Sequence, residues 1–229
     1  MNTIDLDGSE KTISERAYRM IRKEIVSGDL PPETKLKIDM LRQRYGLGAA
    51  PLREALSRLA GDRLVVLKGQ RGFVVAPISA REATEIGELR KLLEVEALRA
   101  SIPAGDTAWE ERLIMTYHRL SRLETGENQG IDALDDWEGL NSAFHDATVS
   151  ACPSEWMLRL RGELFSQHER YRRFSRVKSV RERAIHDEHE ALFEAALARD
   201  VDKATEIIGM HIERTTRAVV RAFERDETD

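Results

Sequence analysis

Cysteine and long apolar runs are nearly absent from this chain of 229 residues, and each absence excludes something. The single cysteine, Cys152, has no intrachain partner, so no internal disulfide forms and nothing points to an oxidising compartment. It reads as a small buried hydrophobe. No apolar stretch approaches the roughly 18 residues of a spanning helix. The opening MNTIDLDGSEKT is acidic and polar where a signal peptide is basic and then apolar. The expectation is therefore a cytoplasmic protein with no membrane partner. A disordered chain is also excluded, because 41% hydrophobic residues bury a sizeable core, and the length suits two domains better than one.

Net charge is −5, but it is unevenly spread: residues 10–78 carry +6 and the remainder −11. A basic head on an acidic body is expected of a module that meets a polyanion, joined to one with another task.

Within the head, Thr12-Ile13-Ser14-Glu15 has the form of a capping box, and Ala17, Met20, Ile21 and Ile25 follow at helical spacing as far as Ser27-Gly28. Pro31-Pro32 forbids continuation. A second helix is read from Ile38, Leu41 and Tyr45 with Gly46 as its stop, and a third from Pro51 through Leu52, Ala55, Leu56 and Leu59 to Gly61-Asp62. The period then changes. Leu64 to Leu67 and Phe73 to Val75 flank a basic, glycine-rich turn, Lys68 to Gly72, and predict a hairpin. Ala76-Pro77 closes the unit.

Two short helices around Gly46-Leu47-Gly48, followed by a basic hairpin, predict a winged helix-turn-helix whose partner is double-stranded DNA. With Leu52, Leu56 and Leu59 turned inward, Arg53, Ser57 and Arg58 project from the third helix, an element whose width fits a major groove. Lys68 and Arg71 on the wing suit a flanking phosphate or the minor groove, and Lys37, Arg42 and Arg44 are further candidates. The plainer reading of these cations is solubility, but helix order, wing and charge asymmetry agree on the first.

From Ser79 onward only amphipathic helical stretches occur, expected over 80–101, 107–124, 132–151, 155–175, 180–198 and 201–225. Capping boxes at Ser79 to Glu82 and Ser179 to Glu182 support two of these starts. Short connections predict an antiparallel bundle, so the fold class is mainly α: a winged head over 10–78 and an all-α unit over 79–225.

Three histidines of the bundle lie on apolar stripes. They are His145 with Trp137, Leu140, Asn141, Phe144 and Thr148; His189 with Ile185, Leu192, Phe193 and Ala196; and His211 with Ala204, Ile207, Ile208, Thr215, Ala218 and Phe223. A lone inward histidine is usually a satisfied core residue. Three together also suit one divalent ion, which satisfies all of them while leaving each second nitrogen for an outer acceptor. His118 and His186 are expected at solvent or a helix seam. The run Gln167 to Arg173 is basic and aromatic: either it is a solvated face, or His168 and Arg172, one turn apart with Phe165 nearby, line a pocket for an anion.

The run Gly46-Leu47-Gly48-Ala49-Ala50-Pro51-Leu52-Arg53-Glu54-Ala55-Leu56 resembles the G-V-S-R-x-P-V-R-E-A-L segment of GntR-type regulators, and Arg71 to Val75 resembles their wing. The helical half resembles the ligand-sensing FCD domain of the FadR subfamily. One departure is plain: Gly48-Ala49 stands where the family has Ser-Arg, so an arginine that commonly touches the operator is missing, while Arg53 matches the family's second arginine. The resemblance implies a metal held by Asn141, His145, His189 and His211, with Asn141 in place of the family's usual aspartate. Three imidazoles and an oxygen suit Zn²⁺ or Ni²⁺ better than Mg²⁺ or Ca²⁺. Arg90 resembles a family arginine that meets the ligand's carboxylate; its other reading is an ordinary ion pair with Glu94 on a wet helix face. The runs Ala151 to Ser154 and Gln167 to Arg172 resemble the carbon-starvation-induced branch, whose ligands include short dicarboxylates such as glutarate.

The expected function is a ligand-responsive transcription factor, a repressor that a small carboxylate releases from a palindromic operator. Two heads on a two-fold axis match such a site, so a homodimer is expected. Two alternatives compete. One is a metal-sensing regulator; the other is a metal-dependent hydrolase with a DNA-targeting head, against which stands the lack of H-E-x-x-H, of a Glu-x-x-His pair and of a Ser-His-Asp signature.

Overall fold

The computed structural model describes residues 12–69, 72–126, 131–178 and 185–226, so the wing residue Arg71 and the capping box expected at Ser179 to Glu182 fall outside the described residues. The chain divides into two compact units, Met1–Ile78 and Ser79–Asp229.

In the first unit, α1 spans Ile13–Ser27, α2 Ile38–Tyr45 and α3 Ala49–Gly61, followed by β1 Val65–Leu67 and β2 Phe73–Val75. The Thr12 side chain caps α1 by accepting from the Glu15 backbone N–H at 3.2 Å. Gly46 turns α2 into α3 with φ of 66°, a left-handed conformation that glycine adopts without steric cost. α3 starts two residues before its expected start. Pro51 sits third in the helix, where its missing N–H falls among the first-turn donors that have no helical acceptor in any case. Ala17, Ile21 and Ile25 of α1 pack with Leu41 of α2, Leu52, Leu56 and Leu59 of α3, and Val65 and Val75 of the wing. The strands pair antiparallel with Val65 opposite Val75.

The hairpin is not alone. The extended stretch after Pro31-Pro32 docks along β2 through Leu36 N–H to Phe73 O (2.9 Å) and Val75 N–H to Thr34 O (2.9 Å). This tie anchors the wing to the segment leading into α2.

The second unit is all-helical among the described residues: α4 Ala80–Ala104, α5 Thr107–Thr125, α6 Ile131–Val149, α7 Glu155–Lys178, α8 Ile185–Leu197 and α9 Val201–Asp226. Ser79 caps α4 by accepting from Glu82 N–H (3.1 Å), and Asp106 caps α5 by accepting from Trp109 N–H (2.9 Å). α4 runs past its expected end at residue 101 and includes Pro103, which stops it within one residue because a proline cannot continue the backbone ladder. α4 packs on α9, α7 and α6, while α8 bridges α5 and α9. A Cβ at Gly87 would lie 2.3 Å from Thr216 Oγ1, so the absence of a side chain there lets α4 and α9 approach. Leu98, Ile102, Leu113, Phe144, Leu192, Ile208 and Ile212 form the core, with Cys152 buried beside them. No described helix is long and apolar enough to cross a membrane.

Candidate functional site

Helices α6, α8 and α9 each bring one histidine to a shared point in this core. His145, His189 and His211 are buried, their ring centroids stand 5.0 to 5.3 Å apart, and their ligand nitrogens all lie within 4.8 Å of one another. Both ring nitrogens of His145 and Nε2 of His189 are buried with no hydrogen-bond partner among the described residues. The same holds for Oδ1 of Asn141, which precedes His145 by one helical turn. Buried polar atoms left in this way cost free energy unless something else satisfies them. Burial, with His211 and His189 close by, pushes the His145 imidazole well below its ordinary pKa, so it is neutral and able to donate a lone pair.

The other two imidazoles are oriented by carboxylates that the sequence did not single out. Nδ1 of His189 donates to Glu124 Oε1 (2.8 Å), and Nδ1 of His211 donates to Glu188 Oε2 (2.8 Å). Each bond assigns the proton to Nδ1 and the lone pair to Nε2, as in carboxylate–histidine–metal arrangements. Glu124 also accepts from Trp137 Nε1 (3.0 Å) and faces half-buried His186 at 3.3 Å. Burial pushes the Glu124 carboxyl up, but His189, Trp137 and His186 more than offset this and hold it below the usual range. His118 is exposed on α5. The donor set therefore fits a divalent ion of the class that binds imidazole.

A cationic cluster shares a neighbouring aromatic ring with His145. Phe165 of α7 lies 5.8 Å from the His145 ring, and the guanidiniums of Arg90, Arg172 and Arg161 lie over it at 4.4, 4.8 and 5.3 Å. Arg90, His168 and Arg172, anticipated from sequence, are all buried here. Arg161 was not anticipated; it lies in α7 one turn before Phe165. The ion pair of Arg90 with Glu94 exists at 3.5 Å, but on a fully buried face, which replaces the wet surface of the plainer reading. Arg90 Nη1 donates to His168 Nδ1 (2.7 Å), and burial, followed by the Arg90 charge, keeps His168 well below its ordinary pKa and hence neutral. Arg161 binds Glu94 (2.9 Å) and Asp146, and Arg172 binds Glu138 (2.8 Å). Desolvation lowers Arg90 to about 9, which leaves it charged at neutral pH. Three buried guanidiniums thus face two buried carboxylates, with Asp146 nearer solvent. Nη2 of Arg90 and of Arg161 and Nε2 of His168 have no hydrogen-bond partner among the described residues.

On the head, Arg53 and Ser57 are exposed on α3, and Arg53 engages no carboxylate among the described residues. Lys37 is exposed at the start of α2. Four further candidate cations are engaged within the unit: Arg42 with Asp39 (3.5 Å), Arg44 with Glu24 (2.8 Å), Lys68 with Glu33 (3.3 Å) and Arg58 with Glu15 (2.6 Å). Arg58 also covers the Tyr18 ring at 4.3 Å, so it fastens α3 to α1.

Comparison with known proteins converges on one family. Residues 13–75 match the model for bacterial regulatory proteins of the gntR family, and residues 85–214 match the FCD domain. The chain is 40% identical over 214 residues to an uncharacterized HTH-type transcriptional regulator, BphR, of Paraburkholderia xenovorans, covering 93% of this chain and 87% of that one. It is 36% identical over 199 residues to the HTH-type transcriptional repressor GlaR of Escherichia coli, covering 85% and 90%. A solved GntR-family regulator from Pseudomonas syringae pv. tomato superposes with a TM-score of 0.57 at 27% identity, covering 96% and 92%.

Proposed function

Because the chain belongs to the gntR family of bacterial regulatory proteins and carries an FCD domain C-terminal to its helix-turn-helix, we propose that it is a repressor released from its operator by a small carboxylate bound beside a divalent metal. It is a DNA-binding transcriptional regulator, as its relatives are, and not an enzyme, so the hydrolase reading is set aside. The proposal assigns DNA binding to residues 10–78, with Arg53 as the first contact and Ser57, Lys37, Arg42, Arg44, Arg58, Lys68 and Arg71 around it. It assigns effector binding and dimerisation to residues 79–225, and the working form is a cytoplasmic homodimer on a palindromic site. Repression is supported by the name of the GlaR relative.

One observation carries the sensing half of the proposal: the aromatic ring of Phe165 adjoins both His145 of the histidine triad, at 5.8 Å, and the three guanidiniums, at 4.4 to 5.3 Å. His145, His189, His211 and Asn141 would hold Zn²⁺ or Ni²⁺, and the ion would supply a positive charge that polarises and orients an oxygen ligand. Arg90, His168 and Arg172, joined by Arg161, would bind a carboxylate. A ligand with two carboxylates fits this pair of poles better than one with a single charge. Coupling to DNA requires only that the effector bind the DNA-competent and released arrangements unequally.

The test is fluorescence anisotropy of the full chain on DNA selected for binding, with Zn²⁺ or Ni²⁺ alone, glutarate alone, and both. Release in the combined arm supports the proposal. Release by metal alone would instead make the ion the effector, and retention in every arm would contradict carboxylate sensing.

A further inference from the structure

The three histidines of the candidate metal centre are not equally supported. Nδ1 of His189 meets Glu124 at 2.8 Å and Nδ1 of His211 meets Glu188 at 2.8 Å, so two of the three rings carry a carboxylate. His145 has no such partner: both of its ring nitrogens are buried without a hydrogen bond among the described residues. A neutral imidazole that gives its lone pair to an ion keeps one N–H, and a buried N–H without an acceptor costs free energy. What His145 lacks is therefore an acceptor, and a carboxylate is among the usual acceptors behind a metal-binding imidazole. His145 is also the ring of the triad that shares Phe165 with the arginines, at 5.8 Å against 4.4 Å for Arg90 and 5.3 Å for Arg161. Two ion pairs tie α7 to α6, Arg172 with Glu138 and Arg161 with Asp146, and Asn141 and His145 lie between these two points along α6. A cluster of buried cations thus stands beside the ring that lacks a carboxylate.

We infer that the effector supplies the missing acceptor: a carboxylate of the ligand, held by Arg90 and Arg161, accepts the remaining N–H of His145. The Nη2 atoms of both arginines are buried with no hydrogen-bond partner among the described residues, so they have donors to give such a group. The ligand then does for His145 what Glu124 does for His189 and Glu188 does for His211. The inference rests on the reading of the helical unit as a carboxylate sensor, and it adds the contact through which ligand and metal affect one another. A second carboxylate on the ligand remains free to reach the ion, so ligation of the metal and the His145 contact are separate events. Because an acceptor on the outer nitrogen makes an imidazole a more basic ligand, the two affinities are linked. Effector tightens the ion by the factor by which the ion tightens effector.

Nuclear magnetic resonance of the full chain, with its histidine rings labelled with nitrogen-15, tests the contact, using Zn²⁺ and glutarate as the probes. The three ligand rings are recognised by the shift of their nitrogens on Zn²⁺ loading, which His168 does not share. Before glutarate, two of them show the far-downfield N–H proton of a strong hydrogen bond to a carboxylate; saturating glutarate adds the third. In chelator competition, glutarate makes the chain hold Zn²⁺ about 10-fold or more tighter, the lower end of what an outer partner of a ligating histidine contributes. Glutarate that binds by calorimetry without moving the third proton overturns the His145 contact and leaves carboxylate sensing standing, as does an unchanged Zn²⁺ affinity. Three downfield protons before glutarate is added also overturn the contact, since water or Glu138 then already serves as the acceptor. Glutarate that fails to bind the zinc-loaded chain overturns the sensing reading and this contact together.

Discussion

Asn141 decides the charge of the candidate metal centre. Three neutral imidazoles and a neutral amide leave the ion's full +2, whereas an aspartate would reduce it to +1. Asn141→Asp is therefore expected to tighten metal binding and to weaken a carboxylate that ligates the metal. Two unit charges about 4 Å apart interact by about 4 kcal/mol at an effective dielectric of 20, of which solvation and relaxation leave roughly 1–2 kcal/mol. Calorimetry on metal-saturated protein checks the sign; an equal or tighter effector affinity would move the carboxylate onto the arginines alone. His145→Ala is expected to lower bound metal and melting temperature together, because an ion that binds only the folded chain stabilises it. Metal analysis showing equal content in variant and parent would remove the site. His168 gives a pH signature. Its pKa is depressed by burial, so the unfolded chain binds more protons between the lowered folded value and the ordinary one of about 6.5. Stability from this group is present above about pH 6.5 and is lost as pH falls below it, at up to about 1.4 kcal/mol per pH unit. Melting curves from pH 7.5 to 5.5 should show a shallower fall in His168→Gln than in wild type.

At the scale of elements, the proposal makes α3 the reader, and Arg53 is the cation its exposed face presents without an internal carboxylate among the described residues. Arg53→Ala should weaken operator binding by roughly 1–3 kcal/mol with the fold intact, whereas Arg58→Ala should also lower stability because it unfastens α3 from α1. Equal operator affinity in Arg53→Ala would reassign the reader. Helical periodicity alone placed Leu52, Leu56 and Leu59 inward and set His145, His189 and His211 on core faces, since burial imposes that period directly. Other features carry no period. The edge formed by residues 33–36 is three backbone bonds long and follows two prolines, so no apolar alternation announces it. Glu124 and Glu188 look like ordinary helix-surface acids until α5, α8 and α9 pack, and Arg161 looks like a solvated cation until Glu94 is found buried across from it. Partnerships between distant residues are three-dimensional facts, and a one-dimensional pattern records only the faces.

For the whole molecule, the proposal joins a basic reader to a helical sensor in which a metal and an anion would bind close together beside Phe165. If effector and operator favour different arrangements of one chain, their affinities are linked, and the linkage is reciprocal. The factor by which saturating effector weakens DNA binding must equal the factor by which saturating DNA weakens effector binding. Couplings of this kind are typically about 1–3 kcal/mol, or roughly 5- to 150-fold. The decisive measurement is calorimetric titration of glutarate into metal-loaded full chain, free and saturated with operator DNA. The account predicts a glutarate affinity several-fold or more weaker on the DNA complex, by the same ratio that glutarate lowers operator affinity. Identical affinity for free and DNA-bound protein would contradict it.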